Sequence, residues 1–159
     1  MTRTPGDESP SVTDGEVAAL LTRLDEGRQS WIEGTPPQGS SLEVEQAEGM
    51  TLFGPFGGEA SRASADLRTR QSRAAGLFGG GTGRCEVVKT IVAGSVVVVV
   101  QVERNEARVE GCVDPQPWAL RTTQVFELRQ GGWVRLHRHA DPLIDLRTPA
   151  TTFAIARGE

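Results

Sequence analysis

Five consecutive valines, Val96 to Val100, constrain this chain more than any other stretch. A β-branched side chain is stiff at χ1 and crowds the turn before it in a helix, so the run disfavours helix and suits a strand covered on both faces. Its neighbours supply a partner. RCEVVKTIVA and SVVVVVQVER flank Gly94-Ser95, a step short enough to close a β-hairpin. The apolar segment from Ile91 to Val102 is about twelve residues, well short of the roughly 20 that a membrane helix requires, so no membrane span is expected.

A second hairpin follows from the same reasoning. WALRTTQVFELR and WVRLHRHAD lie either side of Gln130-Gly131-Gly132. Taking Gly131-Gly132 as a two-residue turn and counting outward pairs Gln130 with Trp133, Leu128 with Arg135, and Phe126 with His137. The same count pairs Gln124 with His139 and Thr122 with Asp141. Side chains alternate along a strand, so these residues share one face with Leu120 and Trp118. Apolar walls with sparse polar groups (Gln124, His137, His139, Asp141) are what a small-molecule pocket requires. The opposite face, which on this count includes Ala119, Arg121, Thr123, Val125, Val134, Leu136 and Arg138, suits solvent or a subunit interface.

Helical signals come earlier. Thr13-Asp14-Gly15-Glu16 has the spacing of a capping box. Behind it Val17, Leu20, Leu21, Leu24, Arg28 and Trp31 recur at three- and four-residue steps, one stripe of an amphipathic helix. Gly34 and Pro36-Pro37 end it. Residues 35–49 read as a loop, or a loop with a short helix, and MTLF (50–53) as a short strand closed by Gly54-Pro55-Phe56-Gly57-Gly58. A second helix is predicted from about Arg62 to Phe78, with Ala63, Leu67, Ala74 and Phe78 inward, stopped by Gly79–Gly83. TTFAIA near the C-terminus suggests a further short strand. Helices grouped early and an antiparallel meander late give an α+β class, with the helices on one face of a bent sheet.

The 159 residues fit one domain, predicted over 14–145, with a disordered polar lead-in at 1–13 and a C-terminal tail at 146–159. Net charge is −4, and apart from Lys89 the basic residues are scattered arginines, which argues against nucleic acid as a partner. Two cysteines, Cys85 and Cys112, make neither a disulfide framework nor a zinc motif. The first fifteen residues carry no apolar signal-peptide core, so a cytoplasmic setting is expected.

Both histidines sit in His137-x-His139-x-Asp141. Residues two apart on a strand are about 6.6 Å apart and can converge on one ion, but Asp141 is about 13 Å from His137 and no third ligand is marked. No metal or cofactor is therefore expected. Acid–base chemistry is the second reading: His139 or His137 titrates near neutrality and Asp141 orients it. The third is structural, a histidine hydrogen-bonded to its neighbours. GGGTG lacks the Lys-Ser/Thr ending of a phosphate loop and reads as a helix stop. Trp31 and Phe53 are core candidates that could also wall a pocket between helix and sheet.

MTLFGPFGG, VQVER and WALRTTQVFELRQGGWVRLHRHADPL together resemble the SnoaL-like branch of the nuclear transport factor 2-like superfamily, over residues 16–143. That superfamily also holds ketosteroid isomerase and polyketide cyclases. The resemblance implies a cone-shaped α+β barrel around a central pocket, and a homodimer through the outer face of the sheet. It also implies a small, partly apolar ligand against Trp31, Phe53, Phe56, Trp118, Gln124 and Phe126. The alternative it implies is a cofactor-free isomerase, cyclase or dehydratase acting by proton transfer through His139, His137 and Asp141. The isomerases place a carboxylate base near the first strand, where this chain has Glu48-Gly49-Met50-Thr51. Their tyrosine has no counterpart, because the chain contains none.

Overall fold

A computed structural model describes residues 11–36, 39–62 and 65–158. Residues 1–10 of the expected lead-in, Pro37 and Ala63 lie outside the described residues. In chain order the elements are α1 (Asp14–Ile32), β1 (Glu45–Phe53), β2 (Ser61–Arg62), α2 (Ala65–Ala75) and β3 (Phe78–Ala93). They continue with β4 (Val96–Val109), β5 (Gln116–Arg129), β6 (Gly132–Pro142) and α3 (Pro149–Ala156). The strands form one curled sheet in the order β2-β1-β6-β5-β4-β3. Every neighbour is antiparallel except β1 and β6, which run parallel. The class is α+β, with the helices on a mainly antiparallel curved sheet.

The entry to α1 follows its sequence closely. The Thr13 side chain accepts from the Glu16 N–H at 3.3 Å while the Glu16 carboxylate accepts from the Thr13 N–H at 2.7 Å, a reciprocal capping box. Val12 and Val17, one before the cap and four after it, pack on the same buried cluster and staple the first turn. Leu20, Leu24, Arg28 and Ile32 form the buried stripe at four-residue steps. Gly34, at φ +81°, ends the helix in a left-handed conformation, and a Cβ there would sit 2.5 Å from the Phe78 carbonyl oxygen. Glycine is required on both counts.

The β3–β4 hairpin turns at Gly94-Ser95, with Ala93 opposite Val96. Along β4 burial alternates without a break from Val96 to Ala107. Val97 and Val99 face α1 and join Leu20, Leu24, Val44 and Phe126 in the main core. A second cluster holds Ile32, Phe78 and Ala107, and a third, of Ala47, Met50 and Val134, packs where β1 meets β6.

Several expectations change. The first strand starts at Glu45, within the predicted loop, because β6 offers its edge to 45–46 and, past an irregularity before Thr51, to 51–53. Helix α2 is shorter than predicted, and the glycines after it belong to β3. There a missing side chain permits close strand pairing: a Cβ on Gly81 would lie 2.2 Å from the Glu106 carbonyl oxygen. TTFAIA is helix and not strand. Thr148 caps it, with Pro149 opening the first turn, and proline's fixed φ favours that position. None of the residues of α3 is buried.

The last hairpin also departs from the count. The turn is Gln130-Gly131, so Arg129 faces Gly132 and Phe126 faces Arg135. This is a two-residue slide, which leaves every side chain on its expected face. A bulge at Leu136 then adds one residue to β6, so Val125 faces His137, Gln124 faces Arg138, Thr123 faces His139 and Arg121 faces Asp141. A one-residue offset exchanges the faces of everything beyond it. His137, His139 and Asp141 therefore leave the face of Phe126 and Gln124, and Arg138 enters it.

Candidate functional site

The inner face of the sheet changes character along its strands. Beyond Val97 and Val99, the next inward positions of β4 are Gln101, Glu103 and Asn105, all buried. Their partners on β5 are Thr122, Leu120 and Trp118, and one step along, Gln124 of β5 faces Arg138 of β6. Between this surface, α1, α2 and the 54–59 loop lies a cavity of about 260 Å³. Its apolar wall includes Trp31, Ile32, Leu52, Phe56, Trp118 and Leu120. Phe56 and Trp118 stack with ring centres 5.6 Å apart, and Phe78 backs Trp118 at 5.5 Å.

The polar wall is built around arginine. Arg28, on α1, is 8% exposed; it donates to Asn105 Oδ1 at 2.6 Å, to Asp25 at 2.9 Å and to the Gly83 carbonyl at 3.1 Å. A Cβ on Gly83 would fall 2.3 Å from Asn105 Oδ1 and 2.9 Å from the Arg28 guanidinium, so glycine is what lets helix and sheet meet here. Arg138 forks onto Glu103 with bonds of 2.9 and 3.2 Å. Burial alone would raise the Glu103 carboxyl pKa, but the Arg138 charge and hydrogen bonds outweigh it and hold it below its ordinary value. Glu103 is thus an ionised structural partner and not a base poised near neutrality. Burial, with the Glu103 charge next, pushes the Cys85 thiol up to about 12, which leaves it unreactive.

Arg135 is different. It projects inward opposite Phe126, and its guanidinium carbon sits 5.4 Å from the centre of that ring. Among the described residues it makes no hydrogen bond or ion pair, and its Nε is buried without a partner. Burial, then the nearby Arg138 charge, lowers its pKa to about 9, so it stays cationic at neutral pH. Gln124, 1% exposed, has a buried Oε1 that is likewise unpartnered. Arg23, which reaches the Glu43 main-chain oxygen, completes this side.

Of the residues singled out from the sequence, Trp31, Phe56, Trp118 and Gln124 line the cavity. Phe126 does not; it is fully buried in the main core beneath Arg135. Phe53 lies on the other side of the sheet, its ring 5.1 Å from that of His139. His137 and His139 are there too, joined by Thr51, whose hydroxyl is 2.7 Å from His137 Nδ1. Asp141 approaches His139 Nε2 at 3.2 Å and Arg121 at 3.5 Å, both exposed pairs. Glu48 is exposed and away from the cavity. The described residues contain no group of three His, Cys, Asp or Glu placed to hold a metal ion. No described helix is long and apolar enough to cross a membrane.

Arg28, Glu103, Asn105, Arg135 and Arg138 carry the polar chemistry of the cavity without having been singled out for it. Arg28 had a legible signal, a charge inside an otherwise apolar helical stripe. Glu103 and Asn105 continue the even spacing of Val97 and Val99.

No family model and no curated protein matches the sequence. Solved structures do match the fold. A nuclear transport factor 2-like superfamily protein from Salmonella enterica superposes with a TM-score of 0.63 at 15% identity, over 84% of this chain and 97% of its own. A CaMKII hub from S. rosetta gives 0.62 at 13% identity, over 84% and 99%. A domain of unknown function with a cystatin-like fold from Nostoc punctiforme gives 0.61 at 14% identity, over 92% and 86%. The chain has the nuclear transport factor 2-like fold.

Proposed function

We propose that the protein binds a small, partly apolar molecule in the cavity between α1, α2 and the inner face of β4–β6. The observation that carries this reading is the wall itself: Trp31, Phe56 and Trp118 face buried polar groups whose hydrogen-bonding capacity is not used up among the described residues. Such groups are costly to bury and are retained where a ligand completes them. Binding without chemistry is preferred over proton transfer. His137, His139 and Asp141 lie on the opposite face of the sheet, and Glu103 is committed to Arg138.

A thermal-shift screen of small, partly apolar compounds tests the reading. A cavity ligand raises the melting temperature with the logarithm of its excess concentration. Ala74→Trp, which fills the cavity from α2, should abolish the shift; a shift that survives it places the ligand elsewhere and ends the proposal.

The outer face suits a second copy of the chain. Val98, Val100 and Val102 on β4 and Val125 on β5 stay half-exposed there, with Ile91 beside them exposed. An apolar stripe of this kind marks an interface. Sedimentation velocity should find a dimer that Val100→Glu dissociates; a monomer at tens of micromolar would exclude it.

A further inference from the structure

The cavity wall has more positive than negative charge. Five guanidinium groups line it, from Arg23, Arg28, Arg70, Arg135 and Arg138, against the carboxylates of Glu43, Glu59 and Glu103. Arg138 is matched by Glu103 and Arg28 by Asp25 behind it. Arg23 is held by a neutral main-chain oxygen. Arg135 has no hydrogen-bond or ion-pair partner among the described residues, and the charges around it are those of Arg138 and Arg23 together with the carboxylates of Glu103 and Glu43, both of which also answer to other groups. A guanidinium that lines a cavity with its Nε buried and unpaired is costly unless a ligand completes it. Nothing in the folding of β6 demands this arrangement, since Phe126, the residue beneath it, would pack as well against an aliphatic side chain.

We propose that the cavity ligand is a small organic carboxylate, its acid group held by Arg135 with Gln124 alongside, and its apolar body lying against Trp118 and Phe56. This rests on the binding reading above and names the ligand class. The planar guanidinium fork matches a carboxylate in shape and charge, and a charge-assisted bond there is stronger than one to a neutral group. Gln124 faces the same interior from the adjacent strand, diagonal to Arg135; its Oε1 has no partner among the described residues, so the amide can turn its NH2 toward an acid oxygen. The charge and the aromatic wall thus select an amphipathic acid over either a neutral apolar molecule or a bare inorganic anion.

The test compares acids with their own amides. Benzoate, 2-naphthoate, indole-3-acetate and octanoate, each beside the matching primary carboxamide, are titrated against the wild-type chain by isothermal calorimetry at pH 7. At least one acid should bind tenfold or more tighter than its amide. Arg135→Met should erase that preference while leaving amide binding within twofold, and its melting temperature without ligand should be equal to or above that of the wild type. Amides binding as well as acids overturn the carboxylate assignment and leave the binding reading standing. A preference that survives Arg135→Met overturns the role of Arg135. If no acid and no amide binds, both readings fall. Should Arg135→Met not fold, the wild-type comparison decides the ligand class alone, and a variant that cannot fold without Arg135 overturns the claim that the fold does not need this cation.

Discussion

Along the inner face of β4, Val97 and Val99 meet α1 in a dry cluster, whereas Gln101, Glu103 and Asn105, two residues apart on the same strand, meet a network of ion pairs and a cavity. The first region is held by shape alone. Leu20, Leu24 and Phe126 close it, and every atom removed from water there adds to stability. The second is held by matched charges, Arg28 with Asp25 and Asn105, Arg138 with Glu103, which roughly offset their own desolvation. The contrast teaches where to look for function: one end of the interior is filled to make the fold, and the other is kept polar and partly hollow at some cost to it.

Substitutions can break this contrast in graded steps. Phe126→Ala strikes the dry region and should cost about 4 kcal/mol by urea unfolding, because a large cavity opens under Arg135. Glu103→Gln strikes the polar region and should cost about 2 kcal/mol at pH 7 by leaving the partly buried Arg138 without its anion. Its pH dependence identifies the cause. The folded-state carboxyl sits below the ordinary 4.5, so the contribution is fully present above pH 4.5 and is lost as pH falls through the folded value. The gap between wild type and variant should therefore narrow in acid; a gap independent of pH would mean packing, not charge, is responsible.

Gly83→Ala sharpens the comparison at the seam. Its methyl group intrudes between Arg28 and Asn105, and a loss of about 2 kcal/mol is expected from the same measurement. His139→Ala, on the outer face and half exposed, should change stability by no more than about 0.5 kcal/mol and leave cavity binding unaltered. Weakened binding in this variant would return the histidines to the site.

The sequence made the dry region legible and the polar region only half so. The capping box, the α1 stripe and the valine hairpin each rest on local rules of spacing, and the elements form where those rules place them. The start of β1 was hidden because its pairing partner, β6, is some ninety residues away and no local pattern announces a parallel edge. In the last hairpin, counting from the turn put Arg135 on the inner face although the turn lies one residue earlier and the pairing slides by two, since an even slide preserves sidedness. Past Leu136 the same count fails for every residue, because an unpaired residue in one strand leaves no mark in its composition.

That extra residue works as a frame marker for the protein's interior. Were Leu136 instead drawn into the ladder opposite Val125, the downstream residues would revert to the alternation counted from the turn: imidazoles would occupy the wall where a guanidinium now stands, with strand order and turn untouched. Whether a guanidinium or an imidazole looks into the chamber thus turns on whether one residue of β6 bulges or pairs.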